Sequence, residues 1–420
     1  MYRILILLCI SSVASLSAQS PASRNVAEQE TARKLQLDEA LALAEKNNPQ
    51  LAEAGAAVDH AKAGLQSARA YSNPAVEFMG GHQAAKEIST PGVPGGSWRY
   101  AASQMVENPK ERRTRQDVAK FDLESNRRHM DGVRLSVSAE VKHAFFDVLW
   151  RKQQLQYAQE NLHLVEDLRR RVRLEVEVGE KGKLEQTRAE AEMARAQSAV
   201  RNADVQLANA RAVLKAVIGL NAQETLDAEG GLDRAVKLAS LEELRAQVLA
   251  THPALAESAS INARAGASIE NERAKRIPAP TFAAEYERQP DVTYYRFGVN
   301  VQLPLWNRRK GEIAAAQADL LRSQAQARSR QLEIVAALER AYDQYEIYDQ
   351  QVEGLEAGSL REAQAAVEAA RNAYKFGERG IVEVLDAQRV LQGVRSDLLD
   401  ATFARQSALI DLEELGVKPL

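Results

Sequence analysis

The sequence predicts a mainly α-helical chain, duplicated within itself, whose long helical hairpins carry a β-barrel part made of four strands per copy. Three observations predict it. The chain repeats at an offset of 204 residues, Pro49 against Pro253. Its helical segments are longer than a compact domain needs. Between them lie short stretches that alternate apolar and polar residues at the period of a strand.

The N-terminus is set apart first. Arg3 precedes an apolar stretch from Ile4 to Val13, and Leu16-Ser17-Ala18 offers small residues for cleavage. This is the pattern of an export signal, so residues 1–18 are expected to be removed. Residues 19–37 then form an N-terminal extended segment. Cys9 is the sole cysteine and Leu8 before it does not suit lipid attachment. The mature chain is therefore expected to carry no disulfide and no lipid on Cys9. Loss of Arg3 moves the net charge from −3 to −4. So modest an acidic balance argues against nucleic acid as a partner.

Beyond residue 18 no run of 18 residues is wholly apolar. A membrane-crossing helix is not available. If the chain crosses a membrane it must do so as a closed β-barrel, because helices and closed barrels alone satisfy their backbone groups in lipid.

The repeat organises the rest. Between 49–78 and 253–282, eleven of thirty positions are identical without a gap, among them Pro49/Pro253, Arg69/Arg273, Pro74/Pro278 and Phe78/Phe282. The first repeat, 38–219, reads as a helix over 38–72 and strands near 75–81 and 97–107. A long helix over 108–178, a turn at 179–182 and a helix over 183–218 follow. Asn73-Pro74 ends the first helix and Asn108-Pro109 opens the long one as N-cap and first-turn proline. After a linker at 220–239, the second repeat, 240–415, gives a helix over 240–277 and strands at 279–288 and 293–304. A helix over 308–376, a turn at 377–380 and a helix over 381–415 complete it, and 416–420 is a tail. In each repeat the two shorter helices sum to the length of the long one, so they can stack end to end beside it. At ~1.5 Å per residue the long helices reach ~105 Å, the scale of a tube or rod.

One helix shows how such a tube packs. From Met193 through Ala196, Val200, Ala203, Leu207, Ala210 and Leu214 to Val217, apolar residues recur every three or four positions. That is a heptad seam, and its alanines allow close neighbours. The strands separate a channel from a plain rod. Tyr295, Phe297, Val299, Val301 and Leu303 share one face, opposite Tyr294, Arg296, Gly298, Asn300 and Gln302. Phe282, Ala284 and Tyr286 likewise oppose Thr281, Glu285 and Glu287. Such segments suit barrel strands with lipid on one side and water on the other. A soluble sheet packed on helices would also alternate. Four strands cannot enclose a bore, so a channel requires oligomerisation.

Three stretches carry a resemblance: Asn48-Pro49-Gln50-Leu51, the run from Gly298 to Arg308 through Pro304, Trp306 and Asn307, and the run from Tyr374 to Gln388 with Gly377, Arg379, Gly380, Glu383 and Asp386. They resemble the TolC-like outer-membrane efflux protein family over nearly the whole mature chain. The wording of the strand-to-helix turn looks nearest to its heavy-metal branch, the CzcC-like and CusC-like ducts. The resemblance implies a homotrimer with a twelve-stranded barrel in the cell outer membrane and an α-helical barrel across the periplasm. It implies a periplasmic adaptor and an inner-membrane pump of RND type as partners. It places Gly179, Gly182, Gly377 and Gly380 at adaptor-contacting tip turns. The periplasmic gate falls on Glu185, Tyr374, Arg379, Glu383 and Asp386. Glu383 stands where the family often has aspartate, and Leu184 where it has a gate hydroxyl. Glu383 and Asp386, three apart, share a helix face, and threefold symmetry would make a ring of six carboxylates that selects ions by sign.

Catalytic and metal chemistry find no pattern. No two of His60, His82, His129, His143, His163 and His252 have ligand spacing on one helix face. Gly179, Gly182 and Lys183 lack the spacing and following hydroxyl of a phosphate loop. No enzyme, cofactor or resident metal is expected. The sequence leads to a passive exit duct for metal cations or drugs. Its alternative is a soluble periplasmic coiled-coil adaptor, which would have one hairpin where this chain has two.

Overall fold

The computed structural model describes residues 33–84, 93–221, 224, 226–233 and 236–418. The export signal at 1–18 and most of the extended segment lie outside them. Helices dominate, and their limits follow from caps. In the first repeat α1 (Leu37–Asn47) and α2 (Pro49–Arg69) meet at Asn48. Asn48 is extended, and its Oδ1 accepts from the Gln50 N–H at 2.8 Å. The single helix read over 38–72 is therefore two. Pro49 has no N–H to give to the preceding turn and pushes Asn48 out of the helical region, so a new helix starts with proline at its first position. The second repeat does the same, with α5 (Leu241–Thr251) and α6 (Pro253–Ala274) joined at His252.

α3 (Pro109–Glu177) runs unbroken for 69 residues, and α4 (Lys183–Ile218) returns beside it. In the second repeat the long helix is interrupted. α7 (Lys310–Gly354) passes through a π-helical turn, Leu355–Ser359, into α8 (Leu360–Lys375), and α9 (Ile381–Glu414) returns. Gly354 and Gly358 flank and enter the π turn, where the lack of a side chain eases a widened helix.

The two repeats are welded at mid-height. β1 (Arg33–Leu35) pairs in parallel with β4 (Leu226–Ala228) from the linker. Around them Val141, Phe145 and Val148 of α3 pack on Leu214 and Ile218 of α4, Ala40 of α1 and Ile410 of α9. A second core gathers Leu244, Val248, Leu338, Tyr345, Leu409 and Leu412. Each large aliphatic or phenyl side chain among them contributes about 1.5–3 kcal/mol on burial, and these two clusters hold most of the largest fully buried side chains. Polar brackets fasten them. Asp227 of β4 accepts from Lys152 at 2.7 Å and Arg211 at 2.8 Å. The Arg405 guanidinium, 5% exposed, joins Asp233 in the linker to Asp349 of α7. Tyr345 donates to the Val236 carbonyl at 2.6 Å and accepts from its N–H at 3.0 Å.

His252 caps α6 through Nδ1, which accepts from the Ala254 N–H at 3.2 Å. Burial first, and the charge of Arg330 second, hold its imidazole below the ordinary histidine value of 6.5. The folded state thus favours the neutral ring. Stability from this group is complete above pH ~6.5 and declines as pH falls through the lower folded value. His252→Asn, which copies the cap of the first repeat, is expected to keep the helix and remove this acid sensitivity. Thermal unfolding of both proteins between pH 5 and pH 7.5 checks it.

The helices end in a four-stranded antiparallel sheet, the larger sheet among the described residues, with strand order β2-β3-β5-β6. Its strands are β2 (Ala75–Gln83), β3 (Gly95–Met105), β5 (Thr281–Arg288) and β6 (Thr293–Asn300). The strand read over 293–304 stops at Asn300, because Asn300 pairs with Thr281, the first residue of β5, and beyond it no partner backbone remains. Val301 and Leu303 are therefore outside the strand, both exposed.

Candidate functional site

Two regions hold the residues singled out in the sequence: the sheet, and the opposite end of the helices. In the sheet the register puts Phe78 opposite Tyr100, Tyr100 opposite Tyr286, and Tyr286 opposite Tyr295. Directly opposed residues lie on one face. Their rings form a row across all four strands, with centroids 5.0, 6.2 and 5.3 Å apart. Val76, Trp98, Phe282, Phe297 and Val299 share this face, and all are exposed, Phe297 at 86%. The other face bears ions. Arg99 reaches Glu285 at 2.9 Å, and Arg296 reaches Glu285 at 2.6 Å and Glu287 at 2.8 Å. A sheet greasy on one exposed side and charged on the other does not belong in uniform water. Tyr295, Phe297 and Val299 stand on the apolar face as their alternation predicts.

Between sheet and helices an ionic bracket sets the angle. Arg115 of α3 reaches back to the Ala68 and Ala70 carbonyls at the end of α2 and grips Glu107 at 2.9 Å. The Ser72 hydroxyl donates to the same carboxylate at 2.9 Å. These contacts pin the end of α2, the start of α3 and the exit of β3 together.

At the far end both hairpins turn through the same geometry. After α3, Gly179 adopts φ +82°, the Glu180 N–H donates to the Glu175 carbonyl and the Gly179 N–H to Val176. After α8, Gly377 adopts φ +75°, with Glu378 donating to Ala373 and Gly377 to Tyr374. These are Schellman turns, which need a residue without a Cβ at the left-handed position. Gly182 and Gly380 then serve as N-caps of α4 and α9. Glu185 and Glu383 fall three residues later, and each folds an Oε2 back beside its own capping glycine. Carboxylates there are favoured by the positive end of the helix dipole. This gives both glutamates a local structural reason in addition to any role in a bore.

Tyr374 joins the two hairpins. Its hydroxyl donates to Glu175 Oε2 at 2.6 Å, across from α8 to α3. Burial first, and the bond to that carboxylate second, hold the phenol above its ordinary value, so it remains a donor at neutral pH. Beneath it Val172, Ala189, Ile381 and Leu385 form a small apolar cluster. Glu185, Tyr374 and Gly380 line one narrow cleft with Lys181. Arg379 is exposed at the turn and does not line that cleft, although Gly380 beside it does. Glu383 and Asp386 are exposed on α9, and Asp386 is held by Arg389 at 3.2 Å, which also binds Glu192 of α4 at 3.0 Å. Sequence reasoning missed Glu175 and the Arg389 clasp. Glu175 lies four residues before Gly179, but nothing in the chain marks it apart from its acidic neighbour Glu177.

One further polar chain has the order of a hydrolytic triad. Ser407 Oγ lies 3.1 Å from His143 Nδ1, and His143 Nε2 lies 2.9 Å from Asp411. Ser407 sits inside α9, whose backbone N–H groups are spent along the helix axis. The chain bridges α3 to α9 instead.

An exposed two-faced sheet on duplicated helical hairpins is a fold that the comparisons also find in solved outer-membrane channels. The family model described as outer membrane efflux protein matches residues 40–220 and 244–416, one block for each repeat. The chain belongs to the outer membrane efflux protein family. It is 25% identical over 367 residues to the cobalt-zinc-cadmium resistance protein CzcC of Cupriavidus metallidurans, covering 86% of this chain and 85% of that one. The fold matches the crystal structure of CusC with a TM-score of 0.78 at 20% identity, over 91% of this chain and 92% of that chain. It also matches the CmeC outer membrane channel of Campylobacter jejuni at 0.78 and 15% identity, over 90% and 85%.

Proposed function

We propose that three copies of this chain assemble into the exit duct of a tripartite efflux system, lodged in the outer membrane with most of its length in the periplasm. The carrying observation is the sheet of each protomer, exposed and aromatic on one face, ion-paired on the other. Three such sheets supply twelve strands, enough to close a wet bore with an apolar exterior. The duct then conducts passively, its energy coming from an inner-membrane pump of RND type through a periplasmic adaptor. The tip turns at Gly179, Gly182, Gly377 and Gly380 are the adaptor-docking points. Cargo such as metal cations or drugs follows from the same reading. Membrane fractionation, detergent extraction and sizing test it: a trimer from the outer membrane supports the duct, and a soluble monomer removes it.

Glu185, Tyr374, Arg379, Glu383 and Asp386 are the gate of this duct. The bond between Tyr374 and Glu175 ties α8 to α3, and opening the tip must break it. A hydrogen bond to a charged group contributes about 1.5–3 kcal/mol. Tyr374→Phe, which keeps the ring in its apolar seat, is therefore expected to raise the open population about 10- to 100-fold. Arg379 is the second residue whose loss should loosen the closed tip. Single-channel conductance in planar bilayers reads both, and wild-type openings in Tyr374→Phe remove the bond from the gate. The carboxylates of Glu383 and Asp386 predict cation selectivity in the same recordings.

A further inference from the structure

Three glutamines of α9, Gln388, Gln392 and Gln406, each carry a shielded amide atom without a hydrogen-bond partner, and the first two face one cleft. Gln388 is 8% exposed, yet its Oε1 has no hydrogen-bond partner, and neither has the shielded Nε2 of Gln392 one turn on. A buried amide oxygen or nitrogen without a partner costs stability, and leucine at either place would remove that cost. Both line one cleft of about 640 Å³ between α3, α8 and α9. That volume is in the range of small-molecule sites.

The lining states what would fit. Leu164, Val367 and Leu391 give the cleft an apolar wall. Its charged residues, Glu160, Glu368, Arg371 and Arg395, balance to zero, and Arg395 is committed to Glu160 at 3.2 Å. No excess of carboxylate faces the cleft, and no group of three metal-ligating residues occurs among the described residues. As oriented, the pair asks for a partner that donates to the Gln388 oxygen and accepts from the Gln392 N–H.

We propose that this cleft is a transit site for a neutral organic molecule bearing a hydroxyl or amide beside an apolar part, and not for a metal cation. The inference rests on the duct reading, and it names a cargo class that the duct alone leaves open. The amides hold the polar group and the leucine-valine wall holds the rest, weakly enough for release.

The test titrates the purified trimer in amphipol with chloramphenicol, a neutral probe with an amide N–H, hydroxyls and an aromatic ring, by isothermal calorimetry. Zinc chloride is titrated in parallel. Saturable binding at one per protomer is expected. The Gln388→Leu/Gln392→Leu variant should bind at least about tenfold more weakly, while its trimer size is kept and its thermal midpoint is not lowered. Leu391→Arg, which intrudes on the wall and leaves both amides, should weaken the probe as well. Equal affinity in wild type and the double variant overturns the proposal. So does the absence of saturable binding below millimolar, which would leave the cleft to water, and so does zinc binding that the two leucines abolish. Failure of the duct reading is visible beforehand, as absence of an extractable trimer.

Discussion

Phe297→Arg is expected to empty the outer-membrane fraction of the protein, while Gly298→Arg, one residue further along the same strand, leaves it there. Phe297 is the most exposed large residue of β6 and lies on the aromatic face. An arginine at the middle of a bilayer costs a barrel about 2–4 kcal/mol, and in the proposed trimer it recurs in every copy, so the assembly would lose roughly 6–12 kcal/mol. That is comparable to the whole stability of an ordinary domain. Gly298 points to the opposite face, where a Cβ meets nothing within 4 Å and neighbours include Arg296 and Glu285. A second arginine there enters the wet side. The contrast is sharp because strand side chains alternate with a period of two, so adjacent positions sample opposite solvents. Heat-modifiable trimer in outer-membrane extracts is the measurement. Equal tolerance of both arginines would show that the aromatic face does not meet lipid.

Much of this was legible in the chain because it depended on local chemistry. The alternation of Tyr295, Phe297 and Val299 placed them on one face without any knowledge of their neighbours. The paired glycines marked both tip turns, since a left-handed position admits little else. Where the sequence misled, the missing knowledge was either a rule not applied or a partner far away. Asn108-Pro109 marks a helix start, and Asn48-Pro49 carries the same signal, with the proline repeated at His252-Pro253, inside segments that look like continuous helix. There the flanking Ala and Leu outweighed the proline. The end of β6 depends on where β5 begins, which alternation within β6 cannot report. The π turn at Leu355–Ser359 leaves a faint trace in Gly354 and Gly358, but glycine also occurs in unbroken helix at Gly132 and Gly311. Glu175 is the acid that Tyr374 meets, 199 residues away. Spacing along one helix cannot single out such a partner, because Glu177 has the same chemistry.

The joint at Asn48 leads to the other large effect. Gly219 ends α4 with φ +77°, and a Cβ there would lie 2.5 Å from the Asn47 carbonyl oxygen and 2.8 Å from its carbon. Gly219→Ala therefore meets two penalties, a left-handed backbone at about 1–2 kcal/mol and a collision with main chain that cannot swing aside, at about 1–3 kcal/mol. A total near 3 kcal/mol is expected, read as a lowered thermal midpoint of the extracted protein. Gly416 separates the two terms. It has φ +87° after α9 with open space around it, so Gly416→Ala should lose the backbone part alone. The excess at Gly219 then measures how tightly α4 is pressed against the corner between α1 and α2. Asn48 presses from the other side, its Nδ2 donating to the Val217 carbonyl at 2.8 Å while its Oδ1 caps α2. Asn48→Ala and Gly219→Ala break one joint, so their losses together should fall short of the sum. Full additivity, or equal losses at Gly219 and Gly416, would mean that this corner bears no load, and that the stacking of α2 above α4 along α3 is held by the hydrophobic belt alone.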